Sequence, residues 1–268
     1  NVAVVNVSCS QGVLSYASGA VHGFAVEEDG EYEGDLVIGG GVFDLNGHRY
    51  HVKGNLTIAN GALNMTNAAD YLIVDGEFIT SSTVDHSQKL TDGTLEVKGN
   101  FTQKGGTTAF AATGNHTVLF SGENRQTVTF ANSAASYFCN WENTNTEGVV
   151  FATDVKAVGN VKQAGKVEGY LCISSTTAFD KGCYQGDIKI AEDVELSGNC
   201  KIDGQILVYE DFDLNGKELD VTGEVITLRD NEMSIGRNKT CDVILGFDTI
   251  SRLHAVIAFR NKGFMLFD

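Results

Sequence analysis

Proline is absent from all 268 residues, so the turns must be made by glycine, asparagine or aspartate. No apolar run approaches the ~18 residues of a membrane-crossing helix, and no membrane span is expected. Apolar residues never hold a helical period for long, which leaves little helix to expect. Six cysteines, Cys9, Cys139, Cys172, Cys183, Cys200 and Cys241, include no CxxC pair, which disfavours a zinc site. They read as separate buried thiols, although Cys183 and Cys200, 17 positions apart, could sit on neighbouring coils of the repeat described below. No secretory signal opens the sequence. It starts at Asn1 rather than Met, so a fragment or a processed form is expected.

Basic side chains are scarce. Lys and Arg number 19 against 35 Asp and Glu, a formal net charge of −16. Residues 229–268 hold six basic and five acidic side chains, +1, leaving 13 basic and 30 acidic, −17, for the rest. The acidic body repels polyanions, so nucleic acid is excluded as a partner, and only the closing stretch could hold an anion.

Glycine is abundant, at 31 residues, and short β-branched runs fill the gaps between Gly and Asn, the pattern of an all-β protein. A motif of x-Gly-x-apolar-x-apolar recurs. It reads Tyr32-Glu-Gly-Asp-Leu-Val-Ile38, Val52-Lys-Gly-Asn-Leu-Thr-Ile58, Val74-Asp-Gly-Glu-Phe-Ile79 and Val97-Lys-Gly-Asn-Phe-Thr102, with a looser copy at Phe120-Ser-Gly-Glu123. It returns at Val167, Tyr184, Ile202 and Val221, placing glycines at 34, 54, 76, 99 and 122 and at 169, 186, 204 and 223. The spacings are 20 to 23 in the first group and 17 to 19 in the second, and 123–168 reads as irregular. Periods near 20 with alternating apolar residues predict a β-solenoid, parallel β-helix-like, rather than a sandwich of hairpins. About nine or ten coils at ~4.8 Å each would give a rod of about 45 Å. The repeated glycine suggests a corner needing positive φ. Asp44-Leu-Asn-Gly47 recurs as Asp213-Leu-Asn-Gly216, and Asn-Gly signals a turn. Residues 1–31 are assigned to an N-terminal cap over the open end of the solenoid.

Catalytic or metal-binding constellations do not emerge. Asp35, Asp44, Asp70, Asp75, Asp85 and Asp92 mostly stand in turn contexts where carboxylates bond locally. His48 and His51 should face opposite sides of a strand, which argues against a shared metal. His22, His86 and His116 are isolated. Trp141 is read as a packed core aromatic, with a sugar platform as the alternative. Asn-x-Thr occurs at Asn55, Asn64, Asn100, Asn115 and Asn238, weak evidence for glycosylation in so Asn-rich a sequence. No cofactor is expected.

From 32 to about 160 the sequence is similar to the Gly/Asn-rich repeats of large bacterial surface and secreted β-solenoid proteins, most clearly at Gly93-Thr-Leu-Glu-Val-Lys-Gly-Asn-Phe-Thr-Gln103 and Thr113-Gly-Asn-His-Thr-Val-Leu-Phe-Ser-Gly122. The last 36 residues differ. Gly236-Arg237 closes one apolar run, Cys241-Asp-Val-Ile-Leu245 follows, and Ser251-Arg-Leu-His254 opens another. This arrangement resembles the forkhead-associated (FHA) domain, a β-sandwich that binds phosphothreonine peptides. The resemblance implies that Arg237, Ser251 and Arg252 contact the phosphate, while Gly236, Asn238 and His254 support the site. It ends at Asp268, where the family's peptide-reading Asn would come, so a partial FHA-like domain is expected over 227–268, after a solenoid over 32–226.

These readings give a non-enzymatic scaffold, a β-solenoid spacer carrying an FHA-like module, with a phosphothreonine protein or peptide as partner. The alternatives are a bacterial surface or filament-forming protein that self-assembles and, last, a polysaccharide-active β-helix enzyme. The repeats imply the cell surface or secretion, and the FHA-like part implies the cytoplasm.

Overall fold

The computed structural model describes residues 21–227 and, beyond them, 233–236, 243–244, 253, 255–260 and 263–267. Strands are two to six residues long, and the 3-10 turn Asp180–Gly182 is the sole helical element among the described residues. Alternation sets the strand faces: Leu36-Val37-Ile38, Leu56-Thr57-Ile58 and Phe101-Thr102-Gln103 each bury the outer residues and leave the middle one part-exposed.

The strands stack in parallel, each on its counterpart one coil later. Two eight-stranded sheets carry the first coils. In one, Leu36 lies opposite Leu56, and Leu56 opposite Phe78. In the other, Tyr71, Thr94, Thr117 and Asn140 form one column. A third face begins with Val42–Asp44 on Ala62–Asn64 and continues through the single bridges Met65–Leu90, Ala111–Tyr137 and Phe138–Ala157. It widens into a five-stranded sheet running from Val155–Lys156 to Val225–Thr227. The first long sheet ends at Val167–Glu168, and later coils close with the sheet Cys183–Tyr184, Cys200–Ile202 and Leu219–Val221. The architecture is the all-β solenoid of about ten turns that the period predicts. Within the stretch assigned to a cap, Val21–His22 pairs with Leu36–Gly40 and Gly30–Tyr32 with Arg49–Val52. Residues 1–20 lie outside the described residues.

The repeat glycine has a cause other than the expected one. Gly34 and Gly169 take φ 91° and 89°, but Gly54, Gly76, Gly99, Gly204 and Gly223 do not have positive φ. Gly54, Gly76 and Gly99 stack directly on one another, and Gly223 stacks on Gly204. A Cβ on Gly99 would stand 2.3 Å from the Gly76 carbonyl oxygen, and one on Gly223 2.3 Å from that of Gly204. Glycine is required because the backbones of successive coils approach too closely for a side chain. Beside this column runs a ladder of side chains. Asp35 Oδ1 accepts Asn55 N–H at 2.7 Å, Asn55 Oδ1 accepts Glu77 N–H at 2.7 Å, and Asn100 Oδ1 accepts Thr127 N–H at 2.8 Å. The turn carboxylates and amides therefore tie each coil to the next.

Residues 123–168 are regular in space. Phe101 pairs with Val128 and Val128 with Phe151, while Val118, Trp141 and Val161 share another column. Close-packed glycines persist here, a Cβ on Gly165 standing 1.9 Å from the Asn145 carbonyl oxygen, and buried amides add further ties between coils. Gln126 donates to the Val97 and Gly99 carbonyls and accepts Gly122 N–H at 2.9 Å, and Asn145 donates to Gln126 Oε1 at 2.9 Å. Satisfied in this way, the buried polar groups carry little desolvation cost.

The core is aromatic where the coils are long. Phe101 is fully buried with ring neighbours Phe78, Phe110, Phe120, Phe130 and Phe138, and Trp141 packs against Phe120 and Phe151. Trp141 is thus a core aromatic, as its sequence context suggests. The twin Asp-Leu-Asn-Gly segments make the same turn. Asn46 and Asn215 both take φ 49°, and each backbone N–H bonds to the preceding Asp, at 3.0 and 2.8 Å.

Candidate functional site

The closing stretch folds as a small mixed sheet, with Val243–Ile244, Met233–Gly236, Ala255–Arg260 and Gly263–Phe267 in that spatial order. The continuous apolar run Ala255–Phe259 pairs antiparallel with Gly263–Phe267, from Val256 opposite Phe267 to Arg260 opposite Gly263, so the last two strands form a hairpin. Met233–Gly236 runs antiparallel to Ala255–Arg260, with Ile235 opposite Ala255, and parallel to Val243–Ile244, with Gly236 opposite Ile244.

This register brings the ends of three strands to one edge. Gly236 ends the first strand, Ile244 ends the second, and Ala255 begins the third, all at the same end of the sheet. Arg237 follows Gly236 in sequence, and Ser251-x-x-His254 immediately precedes Ala255. Arg237, Asn238, Ser251, Arg252 and His254 themselves lie outside the described residues, as does Cys241. Leu253, inside the second motif, is described and is 59% exposed.

On the solenoid, the acidic residues that might have done chemistry have structural partners. Asp70, fully buried, accepts Gly47, Thr66 and Asn67 N–H groups at 2.6, 2.8 and 3.0 Å. Asp44, Asp85 and Asp92 accept N–H groups one or two residues on. Asp75 meets Lys98 Nζ at 2.7 Å and His51 Nε2 at 2.9 Å, although the His51 approach is off the line of a hydrogen bond. Burial alone would push the Asp75 carboxyl up, but Lys98 and His51 together outweigh it and hold it below its ordinary value. His48 instead faces Asp29, 3.5 Å away, so the two histidines serve different partners. Glu96 accepts the Tyr71 and Ser121 hydroxyls at 2.8 and 2.6 Å, a cross-coil hub with no signal in the motif. Burial, reinforced by Glu96, pushes the Tyr71 phenol up to about 12.

Two histidines are in the core. His86 Nδ1 donates to the Val84 carbonyl at 2.9 Å and its Nε2 accepts Leu63 N–H at 3.1 Å, which fixes the neutral ring. His116 is wholly buried beside Phe110, and neither ring nitrogen has a partner. Desolvation pushes its pKa down to about 3. Among the described residues, no group of three or more His, Cys, Asp or Glu could hold a metal. Cys139, Cys172, Cys183 and Cys200 are free thiols. Cys183 lies opposite Lys201, so Cys200, one position earlier, points to the other face of its strand.

Fold and sheet together define a β-solenoid followed by a small mixed β-sheet of different construction. A family model for the FHA domain matches residues 233–268, the stretch that holds this sheet. Searches of curated proteins and of solved structures return no match. No helix among the described residues is long and apolar enough to cross a membrane.

Proposed function

We propose that the protein is an interaction scaffold in which a β-solenoid spacer carries a phosphothreonine-peptide-binding module at 233–268. The observation that carries this reading is the FHA-domain match, which covers the Gly236-Arg237 and Ser251-x-x-His254 motifs. The register of the sheet supports it, since both motifs adjoin strand ends at one edge. A phosphate dianion needs a fixed cation and hydroxyl donors held in one place. Arg237 and Arg252 supply the charge in this reading, and Ser251 supplies the hydroxyl. Gly236, Asn238 and His254 shape the loops. The test is titration of a phosphothreonine peptide library onto the protein by fluorescence anisotropy. Arg237→Ala and Ser251→Ala should each weaken binding about 10- to 100-fold, the equivalent of one charge-assisted hydrogen bond. Absence of binding, or indifference to both substitutions, overturns the reading.

A second reading, self-association through the solenoid, is favoured by one outward column. Val37, Thr57, Ile79, Thr102 and Thr129 stand in register along the first long sheet, uncharged on a strongly acidic body. In that reading molar mass by light scattering rises with concentration, and Thr102→Lys abolishes the rise. A monomer at every concentration sinks it.

A further inference from the structure

Three Asn-Gly steps occur in the sequence, Asn46-Gly47, Asn60-Gly61 and Asn215-Gly216, and the fold treats them unequally. Asn-Gly is chemically labile. The glycine backbone nitrogen, after losing its proton to solvent base, attacks the asparagine Cγ. A bond forms between that nitrogen and Cγ, the bond from Cγ to the amide nitrogen Nδ2 breaks, and ammonia leaves. Water then opens the resulting succinimide at one carbonyl or the other, giving aspartate or isoaspartate. No oxidant or enzyme is needed, only rotation of the turn so that nitrogen and carbon can meet.

The first site is held shut. Asn46 Nδ2 donates to the Val26 carbonyl one coil earlier at 3.2 Å, which pins the electrophile. The Gly47 N–H, which must be freed, donates to Asp70 Oδ1 at 2.6 Å from the coil after. The adjoining Leu45 is fully buried and anchors the turn. The second site is wedged between coils. Gly61 is buried, its carbonyl accepts the Ser82 hydroxyl at 2.6 Å, and a Cβ on it would stand 2.6 Å from Ile38 Cγ2.

The third site repeats the backbone geometry of the first and lacks its restraints. Asn215 has the same φ of 49° and the same bond from its N–H to the preceding Asp. Among the described residues, however, neither its side-chain amide nor the Gly216 N–H meets a partner. Nothing lies within 4 Å of where a Gly216 Cβ would be, and the flanking Leu214 is 39% exposed.

We propose that Asn215 is a site of spontaneous deamidation, selected by the loss at the last coils of the clamps that protect its twin Asn46. The modification adds a carboxylate to the turn and, in the isoaspartate product, an extra backbone methylene. A charge-assisted hydrogen bond to the attacking nitrogen is worth about 1.5–3 kcal/mol, so the protected site should react roughly 10- to 100-fold more slowly. The intact protein is incubated at mildly alkaline pH, and its peptides are followed by mass spectrometry for amide-to-acid conversion at each Asn-Gly. A parallel sample is held unfolded in concentrated urea. The expected result is conversion at Asn215 at least about tenfold faster than at Asn46 and Asn60 in the native protein, with the three rates drawing together in urea. Equal native rates overturn the proposal. So does a difference that persists unchanged in urea, because the selectivity would then belong to local sequence.

Discussion

The early coils and the late coils of the solenoid solve one problem at two sizes. Between Thr94 and Thr117, and again between Thr117 and Asn140, each coil takes 23 residues. Between Ile188 and Ile206 it takes 18. The longer coil encloses a wider section, and Phe78, Phe101, Phe110, Phe120, Phe130, Phe138 and Trp141 fill it. The shorter coil is filled by Ile188, Ile190, Val194, Ile202, Ile206 and Val208. A solenoid has no second layer to adjust, so the length of the coil must match the volume of its inward side chains. The change happens between residues 140 and 178, where the first long sheet ends and the five-stranded sheet begins.

The comparison is broken most severely by emptying the wide section. Phe101→Ala should cost about 3–5 kcal/mol in urea unfolding, with Ile206→Ala in the narrow section nearer the low end of about 2–5 kcal/mol. Stacking is tested next. Gly99→Ala forces a methyl group against the carbonyl of the coil before it and should cost about 1–3 kcal/mol by the same measurement. A further effect depends on pH. His116 is neutral in the native core, with its pKa pushed down to about 3, against ~6.5 in the unfolded state. Its contribution is therefore intact above pH ~6.5 and is lost as pH falls toward 3, because the unfolded state takes up a proton that the core refuses. His116→Leu should flatten the fall in urea midpoint between neutral and acidic buffer. An unchanged slope would remove His116 as its cause. The smallest effect comes from Gly198→Ala, where nothing lies within 4 Å and φ is not positive. Stability measured by thermal melting should rise there by about 0.4–1 kcal/mol.

The solenoid is legible in the sequence because backbone stacking writes itself into glycine. A residue with no room for a Cβ recurs from coil to coil, and Gly54, Gly76 and Gly99 carry the period openly. The reason for the glycine is not legible, since positive φ and close approach select the same residue. The stretch 123–168 reads as irregular because its close-packed glycines, Gly159 and Gly165, fall outside the motif, and because Gln126, Asn143 and Asn145 add buried side-chain ties that no periodicity reports. His86 is hidden for a related reason. It supplies an acceptor to Leu63 N–H where a strand on the third face would otherwise offer a carbonyl, and an isolated histidine carries no pattern. In the tail, the FHA-domain model matches the stretch that holds the two motifs, and the pairing of Ile235 with Ala255 adds that their neighbouring strand ends meet at one end of the sheet. The roles proposed for Arg237, Ser251 and Arg252 are read from the motif.

The in-register ladders also decide how the rod would respond to force. Strands lie across the axis, so tension applied at the two ends opens the bonds of one coil before it reaches the next. The solenoid yields like thread from a spool, in discrete lengths rather than in one rupture. A 23-residue coil releases about 80 Å of extended backbone and an 18-residue coil about 63 Å. The length of each step would tell an optical trap which end of the molecule is unwinding.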